Sequence, residues 1–290
     1  MTDPAASGPV RVAAIQMVSG LSVDANLATA GRLIADAAAG GANLVALPEY
    51  FCLMGGRDTD KLDVREPAGN GPIQRFLADA ARRHGVWLVG GTLPVEVAPG
   101  VTDRIRNTTF VWAPDGTVAA RYDKIHLFGF RKGDEQYDES RTIAAGDAPA
   151  AFDATLDVAV GAAVEPVKLR VGLSICYDLR FPELFRRLGD GGAPDLILVP
   201  SAFTHTTGSA HWEILLRARA IENQCYVLAP AQGGRHANGR RTWGHSLLID
   251  PWGTVVSVLD EGEGVVAGVI DPARLAEVRE NLPALQHRVL

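Results

Sequence analysis

Short apolar runs, each closed by a turn residue, alternate along this chain with stretches of helical period. Residues 10–17 alternate as a half-buried strand does. Residues 24–39 carry Leu27, Ala30, Leu33, Ile34 and Ala37 at helical spacing, opening near Ser22 or Asp24 and ending at Gly40-Gly41, as capping predicts. Residues 44–47 read as a buried strand running into Pro48-Glu49. Pro72 starts a helix with Ile73, Phe76, Leu77 and Ala80 on one face and Gly85 at its end. Residues 86–89, 108–112 and 117–122 read as strands, the last two joined by Pro114-Asp115-Gly116. From 123 to 146 the pattern lapses, and an irregular stretch of that length is usually functional. Residues 167–175 resume as a buried strand, followed by a polar turn and a helix from Pro182 to about Leu188. A strand at 194–200, a helix at 211–223, a strand at 225–228 and a helix at 272–281 complete the pattern, with a short tail at 282–290.

The pattern repeats. Ala-Asn-Leu-Val-Ala-Leu-Pro at 42–48 matches Pro-Asp-Leu-Ile-Leu-Val-Pro at 194–200, each a buried strand stopped by proline. Val-Trp-Ala-Pro-Asp-Gly-Thr-Val at 111–118 matches Ile-Asp-Pro-Trp-Gly-Thr-Val at 249–255. Two such halves are expected to place sheet against sheet with helices outside, a four-layer α-β-β-α sandwich of class α/β, counted as a single domain over 1–290. Ligand sites in such folds gather at the carboxyl ends of strands, where Glu49, Cys176 and Ser201 fall.

Composition narrows the classes. Of 290 residues 47% are hydrophobic and 21% charged, with a net charge of −6 and no basic patch of the kind nucleic acid requires. No apolar run approaches the ~20 residues of a membrane span. Residues 1–8 lack the features of a signal peptide and read as a disordered lead-in. Three scattered cysteines, Cys52, Cys176 and Cys225, argue against a disulfide framework and for a reducing compartment, the cytoplasm.

Cys176 stands where a buried strand turns toward a helix. Backbone N–H groups and a helix dipole there favour a thiolate and can receive an oxyanion, although a free cysteine in such a place is also commonly a small buried hydrophobe. Glu49, past the end of a buried strand, is placed for a raised pKa suited to proton transfer, or else caps a loop N–H. Lys124, between Tyr122 and Leu127, either reaches water or is held inward as a fixed cation. His126, His205, His211 and His245 are candidate bases for a Cys–His pair. Cys52 is a second candidate thiol and Cys225 reads as core. No two histidines have metal-ligand spacing, and the glycine pairs lack the pattern of a phosphate loop. Residues 233–239 form a glycine-rich stretch, a lid or a plain surface loop.

Leu47-Pro-Glu49, then Tyr122-Asp-Lys124-Ile-His-Leu, then Cys176-Tyr-Asp-Leu-Arg-Phe-Pro-Glu183 together resemble the nitrilase (carbon–nitrogen hydrolase) superfamily. The resemblance runs from Val10 to about His287 and is nearest the Nit branch of amidases, which includes deaminated-glutathione amidase and ω-amidase. Arg235-His236 and the Leu-Pro-Ala-Leu-Gln-His tail at 282–287 look more like the former. The resemblance implies that Cys176 attacks an amide carbonyl to form a thioester, with Glu49 as acid and base. Lys124 and the backbone N–H of Tyr177 would hold the oxyanion. Glu139, in Asp138-Glu139-Ser140, would position Lys124 or the substrate. It implies a small amide substrate, no cofactor or metal, and pairing into a homodimer or larger through helix 211–223 and the helix after Cys176. An acidic substrate would call on Arg180, Arg235 and Arg131, with Phe203 and Thr204 also at the substrate site. The segment 128–137 departs from the acidic loop expected of the family and leaves substrate identity open. An ω-amidase acting on 2-oxoglutaramate or 2-oxosuccinamate is the alternative, and a non-catalytic, partner-binding member is the alternative of another class.

Overall fold

In a computed structural model that describes residues 9–133, 135–160 and 163–289, the first half of the chain forms one sheet and its helical cover. The proposed lead-in at 1–8 lies outside the described residues. In order come β1 (Val10–Gln16), α1 (Val23–Ala39), β2 (Leu44–Ala46), α2 (Asp60–Asp63), α3 (Pro72–His84), β3 (Trp87–Val89), β4 (Leu93–Glu96), β5 (Ile105–Trp112) and β6 (Val118–Asp123). A small hairpin, β7 (Gly129–Lys132) with β8 (Glu135–Asp138), lies between the halves. The second half holds β9 (Ala150–Val160), β10 (Ala163–Leu173), α4 (Pro182–Leu188), β11 (Leu196–Leu198), α5 (His205–Asn223), β12 (Tyr226–Ala229), β13 (Gly233–Arg235), β14 (Arg241–Trp243), β15 (Ser246–Ile249), β16 (Val255–Leu259), β17 (Gly264–Ile270) and α6 (Pro272–Asn281).

The helix ends follow local chemistry. The Ser22 hydroxyl accepts the Ala25 N–H at the start of α1, and Gly85 takes a left-handed φ of 63° to stop α3. The strands β1, β2 and β3 run parallel, as do β10, β11 and β12, and in each sheet antiparallel strands complete the edges. Being buried on both faces, β2, β3, β11 and β12 are continuously apolar, whereas β10 alternates along its first part and is fully buried only at its end. On β1 the odd and even positions divide the work. Ala13 and Ile15 pack with Leu33 and Ile34 of α1 and Leu77 of α3, while Val12 and Ala14 join residues of the other sheet such as Leu169, Val171 and Leu228. Helices α4 and α5 cover the outer face of that second sheet through Phe185, Trp212 and Leu216. The result is the α-β-β-α sandwich, with β2 matching β11 and β3 matching β12 as the sequence repeat implies.

Four features differ from the sequence reading. Strand β17 crosses from the second half to pair antiparallel with β1, so the two halves share a sheet. Strands β4 and β9 lie where no element is expected. In β9, Phe152, Ala154, Leu156 and Val158 alternate inward, but alanine and aspartate are weak strand formers and mute the signal. The irregular stretch at 123–146 contains the β7–β8 hairpin. Helix α5 begins at His205 rather than His211, because Thr204 caps it and Gly208 lets Trp243 approach so closely that an added Cβ would collide with the indole.

Candidate active site

Parallel strands direct their carboxyl ends to one side of each sheet, and the candidate residues collect there. Glu49 follows β2 by way of Pro48, and Cys176 follows β10 after Ser174-Ile175. Lys124 follows β6, which is antiparallel to β5 and therefore runs the same way as β3. The stretch after β11 brings Ala202, Phe203 and Thr204 to the same place.

Lys124 is fully buried between two carboxylates. Its Nζ lies 2.8 Å from Glu49 Oε1 and 2.8 Å from Glu139 Oε2. Glu49 is held at both oxygens: Asn107 Nδ2 also donates to Oε1 at 3.0 Å, and the Ala202 N–H donates to Oε2 at 3.0 Å. Glu139 further accepts the Tyr50 hydroxyl at 2.6 Å and the Phe128 N–H at 2.7 Å. Burial raises the Glu49 carboxyl above its ordinary range, and the Glu139 charge adds to this against the pull of Lys124. Burial works in the same direction on Glu139, but Lys124, with the Phe128 and Tyr50 donors, outweighs it and holds that carboxyl below its ordinary range. For Lys124 burial opposes the charge, yet Glu139 and Glu49 prevail and its pKa stands well above the usual value. The lysine is thus held as a cation, and the two carboxyls beside it are pushed in opposite directions, Glu49 up and Glu139 down.

Cys176 occupies a strained elbow, with φ of 48° in a residue bearing a side chain. Its N–H donates to the Pro200 carbonyl at 3.0 Å, fixing the turn against the end of β11. The sequence reading expects a helix dipole to favour a thiolate here, and the structure corrects it. Only a five-residue 3₁₀ turn, Cys176–Arg180, follows the thiol, and Phe181 separates it from α4. Burial and the adjacent Glu49 charge push the thiol well up, against Lys124 and the Ala202 N–H, so the resting thiol is protonated. Tyr177 stands second in that turn, where the N–H has no partner within the turn itself.

Asp178, which the sequence reading passes over, ties this elbow to the lysine strand. Its carboxylate is fully buried and accepts the Tyr122 hydroxyl at 2.7 Å, the Ile175 N–H at 2.9 Å and the His126 N–H at 3.0 Å. His126 Nδ1 lies 2.7 Å from the same carboxylate, and its ring stacks on Phe181. His126 is therefore engaged as a brace. His205 and His245 pack on Trp243, and His211 meets the Arg180 guanidinium, while the titratable group beside Cys176 is the Glu49 carboxylate. Cys52 is sealed beside the Thr92 carbonyl with its pKa pushed up to about 12 by burial, and Cys225 lies in the core. Asn107 and Tyr50 are also absent from the sequence reading. A buried asparagine in the middle of an apolar strand is the signal that marks the first.

A narrow cavity, partly open to solvent, lies above the thiol and is lined by Glu49, Cys176, Tyr177, Arg180, Phe203 and Thr204 among others. Arg131 and Arg235 lie outside it, each exposed: β7 turns Arg131 outward, and the β13–β14 hairpin does the same to Arg235. Arg240, unremarked in the sequence, takes the position at the cavity wall. Among the described residues no group of three or more His, Cys, Asp or Glu side chains is placed to hold a metal.

The family model for carbon–nitrogen hydrolases matches residues 11–280. The chain belongs to the carbon–nitrogen hydrolase family. It is 43% identical over 283 residues to a deaminated glutathione amidase from Synechocystis, covering 97% of this chain and 98% of that one. It is 37% identical to omega-amidase NIT2 of Mus musculus, covering 96% and 94%. Saccharomyces cerevisiae Nit3, a member of branch 10 of the nitrilase superfamily, superposes with a TM-score of 0.82 at 29% identity over all of both chains.

Replacing Asp178 by the isosteric asparagine would set an amide NH₂ against donors that now meet a carboxylate. We expect Asp178→Asn to lose about 2–4 kcal/mol of stability, since buried donors are left unpaired. Urea unfolding checks this, and a loss under about 0.5 kcal/mol would show that the elbow does not depend on the carboxylate.

Proposed function

We propose that this protein is a thiol amidase that hydrolyses the C–N bond of a small, carboxylate-bearing amide. The observation that carries the reading is the convergence of a thiol and a glutamate with a raised pKa on one cavity, with a buried lysine ammonium paired to the Glu49 and Glu139 carboxylates that line it. Cys176 Sγ attacks the amide carbonyl carbon while Glu49 takes the thiol proton. The carbonyl oxygen becomes an oxyanion held by the Tyr177 N–H and by Lys124, whose ammonium, shared at rest among one Glu49 oxygen and both Glu139 oxygens, turns one donor toward it. Collapse breaks the C–N bond, Glu49 protonates the departing amine, and a thioester remains on Cys176. Glu49 then takes a proton from water, whose oxygen attacks the thioester, and collapse returns the thiol and releases the acid. Glu139 keeps Lys124 at its station.

The acyl side carries its carboxylate toward Arg180, which sits over the rings of Tyr177 and Phe203 near Thr204. An arginine so placed, with Arg240 also on the cavity wall, suits an acidic substrate in a protein of net charge −6. This favours a deaminated-glutathione-like substrate, with 2-oxoglutaramate, the ω-amidase substrate, as the second reading. The test compares kcat/KM for those two and a neutral aliphatic amide. In the same assay Cys176→Ala abolishes turnover, and Lys124→Arg loses at least about 10²–10³-fold, as removal of an oxyanion donor does. Preference for the neutral amide, or an acyl adduct mapped to Cys52, would overturn the assignment.

The acid limb of the rate profile follows from Glu49, which must be ionised to take the thiol proton. Because its folded-state carboxyl is raised, kcat/KM falls on acidification at a pH above the 4.5 of an ordinary glutamate. A profile flat down to that value would remove Glu49 as the base.

The outer face of α5 exposes Ile214 and Ile221, with Trp252 and Val258 nearby. We infer that this apolar face meets a second copy of the chain, giving a homodimer, with the cytoplasm as a compartment that keeps the thiol reduced. Light scattering is expected to give twice 30.8 kDa, and the monomer mass at micromolar concentration would refute the pairing.

A further inference from the structure

Four strand ends meet at one fully buried side chain, Gln232, which lies outside the cavity lining. Its Oε1 accepts the Ser19 N–H at 3.0 Å, just past β1. Its Nε2 donates twice, to Ser19 Oγ at 2.8 Å and to the Glu49 carbonyl at 3.1 Å, past β2. Its own N–H donates to the Ser201 carbonyl at 2.9 Å, past β11, and its carbonyl accepts the Gly244 N–H at 3.0 Å, past β14. Each polar atom of the residue is engaged, and a buried network so satisfied is rigid. Ser19 is held in turn from the β13–β14 hairpin. There the buried His236 donates from Nδ1 to the Ser19 carbonyl at 2.9 Å and accepts the Thr242 hydroxyl at Nε2, 2.8 Å away. Burial lowers the His236 pKa and so favours this neutral ring.

These contacts converge on a strained segment. Tyr50 takes a left-handed φ of 57°, uncommon for a bulky side chain, and such strain persists only where the surroundings over-determine it. Here they do. Gln232 holds the Glu49 carbonyl, the Thr92 hydroxyl accepts the Tyr50 N–H at 2.9 Å, and Ser19 Oγ donates to the Phe51 carbonyl at 2.8 Å. The turn sets Glu49 beside Cys176 and brings the Tyr50 hydroxyl to Glu139, both on the cavity wall. Gln232 also acts on the far side of the same carboxylate. Ala202, whose N–H holds Glu49 Oε2, directly follows Ser201, and Gln232 fixes the Ser201 carbonyl. We propose that Gln232 is a positioning residue of the site: it sets the Glu49–Phe51 elbow, and with it the aim of the Glu49 carboxylate at the Cys176 thiol. This rests on the amidase reading for what Glu49 does and extends it to what keeps Glu49 in place. A base works only within hydrogen-bond reach of its proton, and a displacement of about 1 Å costs about 10²-fold.

Gln232→Met keeps the length of the side chain and removes its donors and acceptor. Gln232→Glu keeps an acceptor for the Ser19 N–H and removes both donors. With 2-oxoglutaramate, each is expected to lower kcat about 10²-fold and leave KM within about 3-fold, because the acyl half is held elsewhere. The acid limb of kcat/KM moves to higher pH, since a Glu49 carboxylate drawn off the Ala202 N–H has its anion less favoured. A merely structural knot would lower stability to urea and leave kcat of the folded protein and the acid limb unchanged, and that result overturns the proposal. A raised KM with unchanged kcat overturns it as well. If the Gln232 variants do not fold, Ser19→Ala removes one hydroxyl from the same chain, and an unchanged kcat and acid limb there count against the proposal. Labelling of Cys176 by iodoacetamide, mapped by mass spectrometry, needs no substrate and separates the two levels of the argument. It is expected to slow about 10-fold or more in the Gln232 variants, as loss of a positioned base gives. Slowed labelling without wild-type turnover counts against the amidase reading alone, whereas unchanged labelling counts against the positioning role.

Discussion

The ammonium of Lys124, sealed between Glu49 and Glu139, is the constraint on which the rest of the site depends. A lone buried cation would be prohibitively costly, and two buried carboxylates side by side would not both stay ionised. Together they are tolerable, but only with further donors on both carboxylates, which Asn107, Ala202, Tyr50 and Phe128 supply. One cation against two carboxylates leaves an excess of negative charge in a dry place. The asymmetry of the donors decides where it is relieved: Glu139 is stabilised as the anion, and Glu49 is left as the group that can take or release a proton.

That division of labour also explains the thiol. A cysteine beside an ionised glutamate, away from water, has its thiolate disfavoured, so in the amidase mechanism proposed above nucleophile and base would work as one unit rather than through a standing thiolate. The strained φ at Cys176 is maintained from two directions, by the Pro200 carbonyl beneath it and by Asp178 reaching from its own turn to Tyr122 and His126. The strand that delivers the nucleophile and the strand that delivers the lysine are thereby braced by a single carboxylate. His126 takes part in that brace, which is why a histidine so close in sequence to the lysine serves no proton transfer.

The cavity mouth is assembled from less regular parts. The β7–β8 hairpin supplies Phe128 at its base and Tyr137 on its second strand, while the β13–β14 hairpin ends next to Arg240. Thr206 at the head of α5 donates to Glu135 at 2.9 Å, so the first hairpin is tied to the helix flanking the nucleophile. The candidate catalytic residues thus stand on strand ends from both halves of the fold, and the hairpins overhang the cavity that Glu49 and Cys176 line.

The apolar runs and their proline stops were sufficient to find the parallel strands, the repeat and the sandwich, because strands buried on both faces must be apolar throughout. Glu49 and Cys176 stood out as polar residues past the ends of buried strands, while Lys124 follows the mostly exposed β6; for all three the family motifs, not the strand pattern alone, made them legible. Beyond this the sequence was silent, and the causes are particular. The exchange of β17 into the first sheet depends on pairing between residues more than two hundred positions apart, which no local pattern records. Arg180, Arg131 and Arg235 look alike in sequence as loop arginines, yet one lines the cavity and two face solvent, because the direction of a hairpin strand sets the direction of its side chains. Asp178 and Arg240 gain their roles only from partners brought in by other elements. Which residues could do chemistry was written in the chain; which of them share a proton, a charge or a wall was decided by the tertiary fold, since those relations are distances and burial, and neither exists until the two sheets close on one another.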